Sequence, residues 1–420
     1  MTTDSTDAQN FGTLSLGGRL VVDGDLHATS GRTLALSAPA AAMALNAGAL
    51  AAGGDVTLDG KGANLTIPNG AELRISAGGG KLGNLTVQNA GTVDLATPVA
   101  MDGSFTVSAV TGTLTLDDVE FDANRDGTGA LSITTDDTAA TFLGDLVLNG
   151  TIDGNGQTAT FSIDGSVTAG ANGLITDVGG LIITAAENIG TAARSIPIGT
   201  TQIDVETTEA NQLIALYNTP GADVTAFEAT TAGGDVTYSQ NGDGLAITGN
   251  GVVTSGGALS IDPPDDVAVN AAINLGTGRY QQTNTGSYTV AAGISITAGD
   301  IDIVADSDHD GLAADGVSVA GFVQTDGAGQ ILSSSSVGIE AANIEVNDIQ
   351  ATTGAITLRA TGNGPATGTI AENGGAAAGA DLQAQTVNLI SGATIDADVD
   401  VTMALNVTSG GAVNVEDTAG

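Results

Sequence analysis

Short runs in which an apolar residue alternates with a small polar one recur from one end of the chain to the other, each opened or closed by glycine. Examples are GGDVTLDG at 53–60, GNLTVQNAG at 83–91, GTLTLDDVEF at 112–121, GDLVLNGTIDG at 144–154 and GGDVTYSQNGDGLAITG at 233–249, and GAITLRA, QTVNLISG and GGAVNVED continue the pattern. A period of two puts the apolar side chains on one face of a strand, and the Gly, Asn and Asp that follow break the run. The whole chain reads as strand, turn, strand, turn.

Val56/Leu58, Leu65/Ile67, Leu73/Ile75, Leu85/Val87, Leu114/Leu116 and Leu146/Leu148 each place two aliphatic residues on one strand face. Strands this short cannot bury a core alone. Laid in parallel register about 4.8 Å apart, they form columns with a continuous aliphatic interior. Strand starts recur at roughly 8–12 residues, which with two or three strands per turn gives rungs of about 20–30 residues. The predicted fold is all-β, a parallel β-helix (β-solenoid). A β-sandwich has similar strand spacing and is the rival, but the pattern runs on for 420 residues without changing character.

Four stretches depart from the pattern. Residues 34–52 are Ala-rich and read either as a helix or as tight rungs, with Pro39 and Gly48 favouring rungs. The segment 186–232 carries less glycine, and Pro263-Pro264-Asp265-Asp266 is a stiff turn, since two prolines have no place in a paired central strand. Residues 361–380 read as a long loop. The expected organisation is a solenoid stretch at 1–185, an irregular or bulged junction at 186–266 and a second solenoid stretch at 267–420.

Composition sharpens this picture. Sixty-two glycines, no Trp, no Cys and 3% aromatic residues point to a core of small aliphatics, while 41% hydrophobic residues set the chain apart from disordered proteins. Asp and Glu number 48 against 9 Lys and Arg, a formal charge of −39. That sign argues against nucleic acid and anionic membrane surfaces as partners, which need a basic footprint. It also offers many carboxylates to divalent cations, calcium above all. The sequence has neither the long apolar run of a membrane helix nor, at Met1-Thr2-Thr3-Asp4, the basic start of a signal peptide. Both ends read as cuts through something longer, so no membrane insertion is expected and an export signal would lie outside this sequence.

AENIGTAARSIPIGTTQIDVETT at 186–208, GISITAGDIDIVAD at 293–306 and NIEVNDIQATTGAITLRATG at 343–362 resemble phrases of the giant repetitive bacterial surface proteins of the filamentous-haemagglutinin-like and autotransporter-adhesin type. The resemblance covers nearly the whole chain. It implies a right-handed parallel β-helix at the cell surface, serving adhesion, aggregation or biofilm formation. The N-terminal secretion domain and C-terminal membrane barrel usual in such proteins are not seen here.

The sharpest local motif is Asp306-Ser307-Asp308-His309-Asp310-Gly311, spelling D-x-D-x-D-G. Carboxylates at alternate positions of a tight loop converge on one cation, and the glycine permits the turn. Val317 stands where an EF-hand has its final Glu, so Asp315 is the candidate to complete the shell. A second copy, Asp122-Ala123-Asn124-Arg125-Asp126-Gly127, spells D-x-N-x-D-G. Asp306, Asp308, Asp310, Asp315, Asp122, Asn124 and Asp126 are therefore the candidate calcium ligands. Asp, Asn and Gly are also the commonest turn formers, and ordinary turns are the alternative at both loops.

An enzyme on this fold would be a polysaccharide lyase or hydrolase. Adjacent acids occur at Asp117-Asp118, Asp136-Asp137 and Asp265-Asp266, but neighbours on a strand point to opposite faces and do not make a catalytic pair. His27 and His309 sit in unrelated turns, and no nucleophile, phosphate-loop or zinc spacing occurs. The expected function is a non-enzymatic extracellular surface adhesin or stalk. Its partners would be glycans or proteins of a host or neighbouring cell. The alternative is a self-associating structural fibre or surface-layer component.

Overall fold

The computed structural model describes residues 57–59, 84–96, 98–123, 125–135, 144–219, 223–240, 244–262, 265–308, 321–325, 329–362, 367–373 and 381–417, together with the backbone of the strands between Leu14 and Ile75. The protein is all-β, and its parallel strands stack into a β-solenoid of about 13 turns, as the alternation predicts. It divides into two compact units, Met1–Thr200 with Val205–Glu209 and Thr201–Asp204 with Ala210–Gly420. The division falls at 200–210, inside the segment read as a junction. Register irregularities within that segment lie between Val224 and Phe227 and between Phe227 and Ala229.

In the first unit the rungs meet residue on residue. Val87, Val107, Ile133, Phe161 and Ile183 form one inward column. Val93, Leu114, Leu146 and Val167 form a second, and Val99, Val119, Ile152 and Ile175 a third. All of these side chains are buried. Because the strand period is two, each inward residue is flanked by outward ones, and Thr86, Thr106, Ser132 and Thr160 form a polar column beside the first apolar one. The Ala-rich stretch is rungs and not helix: Leu34–Ser37, Met43–Asn46 and Ala49–Ala52 are strands.

The second unit repeats the design. One inward column runs Leu216, Tyr238, Ile261, Gln282, Ile303, Ile339, Leu358, Leu389 and Val407. Another runs Val252, Ile273, Ile296, Ile331, Ile349, Leu382 and Val399. The third includes Leu245, Val267, Tyr288, Phe322, Ile344, Ile370, Ile395 and Val413. Ile370 belongs to the strand Ile370–Glu372, which corrects the reading of 361–380 as one long loop. Among the described residues Phe105, Phe121, Phe161, Phe227, Tyr238, Tyr280, Tyr288 and Phe322 are all fully buried, while Tyr217 is exposed. Tyr280 and Tyr288 share a hydrogen bond of 2.9 Å between their hydroxyls, and burial drives both phenols far above their ordinary pKa.

Corners are closed by buried polar side chains at strand exits. The Thr231 hydroxyl donates to the Gly234 carbonyl at 2.6 Å, Thr254 to Gly257, Ser333 to Ser336 at 3.0 Å and Ser391 to Thr394 at 3.1 Å, always three residues on. The Ser336 and Thr394 carbonyls also accept ladder amides, from Ile301 at 2.9 Å and Ile370 at 3.0 Å, so there the hydroxyl is a second, local donor at the corner. Thr254→Val keeps the shape and removes the donor, so chemical denaturation should show a loss of about 1–3 kcal/mol. Glycine serves close approach at the same corners. A Cβ on Gly257 would collide with the Gly234 carbonyl, and one on Gly278 with that of Gly257.

Candidate functional site

Much of the acidic composition has a structural use. Asp118 accepts a hydrogen bond from the Thr151 amide at 2.7 Å, Asp145 from Ser166 at 2.8 Å, Asp223 from Gly244 at 2.6 Å, Asp235 from Ala258 at 2.8 Å and Asp266 from Ser287 at 2.6 Å. In each case a corner carboxylate braces the amide of the following rung, a charge-assisted bond between neighbouring turns. The pairs Asp117-Asp118 and Asp265-Asp266 each contribute such a brace, whereas Asp136 and Asp137 lie outside the described residues.

The loop at 122–127 follows related logic. Asp122 is fully buried with a left-handed φ of 52°. Its Oδ1 accepts the Asp126 amide at 3.2 Å and its Oδ2 the Gly127 amide at 3.1 Å, so both oxygens face the loop's own backbone. Asp126 Oδ1 in turn accepts the Thr128 amide at 2.9 Å and its hydroxyl at 2.5 Å. A calcium ion here would compete with these donors for the same oxygens. Asn124 lies outside the described residues.

At the second loop Asp306 is likewise fully buried with a φ of 58°, its amide donating to the Gly286 carbonyl at 3.1 Å, while Asp308 is exposed. Asp310 and Asp315 lie outside the described residues. Those two loops share a buried, left-handed first Asp at a strand exit.

A different set of acids comes together outside both loop motifs. Glu372, Asp381 and Asp398 each offer a carboxylate oxygen, and these lie within 4.8 Å of one another. Register explains the meeting. Leu382 pairs with Ile349 on one side and Val399 on the other, so the residues just before them, Asp348, Asp381 and Asp398, occupy the same corner of successive rungs. Asp398 pairs onward with Glu416. Glu372 ends the strand Ile370–Glu372, where it is paired with Val346.

Like charges stacked at rung spacing repel by about 1 kcal/mol in water and several-fold more where solvent is excluded. At Asp348 two amide groups relieve this, from Gln330 at 2.5 Å and Gln350 at 3.1 Å. Asp381 has less help. Only 6% of it is exposed, and its Oδ2 is buried without a hydrogen-bond partner among the described residues. Burial, together with the charges of Glu372, Asp398 and Asp348, pushes its carboxyl up to about 7 against the opposing hydrogen bond from the Asp398 backbone. Glu372 is raised for the same first reason, with Asp398 and Asp396 adding to it.

No protein-family model, curated protein or solved structure matches the chain. Three converging carboxylates, one of them buried, can share protons or hold a hard cation. A groove elsewhere in the second unit is lined by Thr225, Ala246, Ala268 and Thr289 with Asp223 and Asp266; its two acids are already committed as braces.

A sequence signal for the carboxylate cluster did exist. Asp348-Ile349-Gln350-Ala351, Asp381-Leu382-Gln383-Ala384 and Asp398-Val399-Asp400-Val401 are versions of one phrase, and in a parallel stack repeated phrases become spatial neighbours.

Proposed function

We propose that the chain is a non-enzymatic segment of an extracellular bacterial surface protein, serving as an adhesin or as a stalk that spaces a distal tip from the cell. The observation that carries this reading is the pairing of inward apolar columns with outward columns of short polar residues, rung after rung. Thr237, Ser260, Gln281 and Asp302 form one such outward column. A ladder of this kind meets a glycan or protein surface through many weak, equally spaced contacts. The braces made by Asp118 and Asp266 support a structural use of the acids that a hydrolase would need for chemistry. Calcium is the cation suited to the remaining carboxylates.

The test is display of the chain on a bacterium that neither adheres nor aggregates. Attachment to glycan- and protein-coated surfaces, or cell aggregation, should rise, and acidic polysaccharides incubated with the purified chain should remain intact. Depolymerisation, or display with no gain in attachment or aggregation, would overturn the reading.

A further inference from the structure

We infer that Glu372, Asp381 and Asp398 form a binding site for one divalent cation of the calcium class, clamping neighbouring rungs of the second unit. This site is separate from the two D-x-D/N-x-D-G loops and does not depend on an adhesive role.

Geometry sets the argument. Calcium takes oxygen ligands at about 2.3–2.6 Å, so two oxygens on one ion stand no more than about 5 Å apart. The three carboxylate oxygens fall inside that limit, within 4.8 Å of one another. Magnesium, with bonds of about 2.0–2.1 Å and strict octahedral demands, needs a tighter set. Three carboxylates leave room for water and backbone oxygen to complete a shell of six to eight, the usual number for calcium.

The second observation is independent of the clustering. The corner acids Asp118, Asp145, Asp223, Asp235 and Asp266 each brace a neighbouring amide. Asp381, 94% buried by its 6% exposure, likewise accepts the Asp398 backbone amide, yet its Oδ2 meets no donor among the described residues. A buried carboxylate oxygen left bare is costly, and a hard cation is the partner that removes this cost together with the repulsion from Glu372 and Asp398. The ligands come from the strand Ile370–Glu372, the corner before Leu382 and the strand Ile395–Ser409, so the ion would tie together chain segments that otherwise repel.

The experiment is calorimetric titration of the full chain, stripped with chelator and dialysed into buffered 0.15 M NaCl, with calcium chloride. Asp398→Asn, Glu372→Gln and a brace-site control, Asp235→Asn, are titrated alongside. Glu372 is only half-buried, so its Gln variant keeps the test open should the Asp398 variant fail to fold. One saturable calcium site is expected in the wild type and in Asp235→Asn, at least ten-fold weaker in Glu372→Gln and Asp398→Asn. Uptake of the same affinity in all four proteins would mean diffuse attraction to the acidic surface and would overturn the site. A wild type with no saturable uptake would overturn it as well.

Discussion

Replacing Phe161 by Ala should cost about 3–5 kcal/mol and lower the unfolding midpoint of the first unit by many degrees. Phe161 sits in register between Ile133 and Ile183, 1% exposed, midway along an inward column. Its ring is one of the few large side chains in a core made otherwise of Val, Leu and Ile. Neighbouring rungs cannot close on the vacated space, because their spacing is fixed at about 4.8 Å by backbone hydrogen bonds on both sides. The loss therefore combines transfer and cavity contributions. Phe161→Leu, which keeps most of the volume, should lose far less. Guanidinium unfolding of the three proteins checks the ordering. Equal stability of wild type and Ala variant would mean that this column is not packed as described.

In chelator, the stability of the second unit should fall as pH rises from about 4 to 7, and Asp381→Asn should remove much of that slope. The sign follows from the direction of the shift. Asp381 titrates near 7 in the folded chain but near 3.9 when unfolded. Between these values the native state holds a proton that the unfolded state has released, so raising the pH favours unfolding. The contribution is fully present below about pH 4 and gone above about pH 7, a span worth at most about 4 kcal/mol. The groups facing Asp381 are Glu372, Asp398 and Asp348, all acidic, and the backbone of Asp398 donates to it. Asn can still accept that hydrogen bond without carrying charge, so Asp381→Asn should be more stable than wild type at pH 8 and little different at pH 4. Thermal melts of both proteins across this range decide the matter. Parallel pH dependence in the two proteins would show that Asp381 is not the group responsible.

The fold was largely legible because a solenoid writes its structure locally. Leu85/Val87 and Leu114/Leu116 announce a two-residue inward face, and stacking in register buries such short faces one on another. Phe105, Phe161, Tyr238 and Tyr280 were harder to place, since a low aromatic content says nothing of where the few aromatics go. All four are interior. The reading of 361–380 as a loop concealed the strand Ile370–Glu372, because Gly, Asn and Pro around it dominate the local signal.

Candidate sites fared differently for a physical reason. Motifs such as D-x-D-x-D-G gather acids that are close in sequence, yet Asp122 uses both its oxygens on the amides of its own loop. The cluster of Glu372, Asp381 and Asp398 is assembled by register between rungs. It becomes visible in sequence only when the phrases at 348–351, 381–384 and 398–401 are laid one over another.

Register is thus the feature on which the columns, the braces and the acidic corner all depend, and spin-label distances measure it directly. The chain has no cysteine, so labels can be placed cleanly at Thr237 paired with Thr357, Asn388 or Asn406. These positions lie on one outward column, Thr237, Ser260, Gln281, Asp302, Gly338, Thr357, Asn388 and Asn406. At about 4.8 Å per rung the separations should be about 24, 29 and 34 Å, rising by one rung at each step. Distances that fail to rise in that order, or that cluster at one value, would contradict the stacked register.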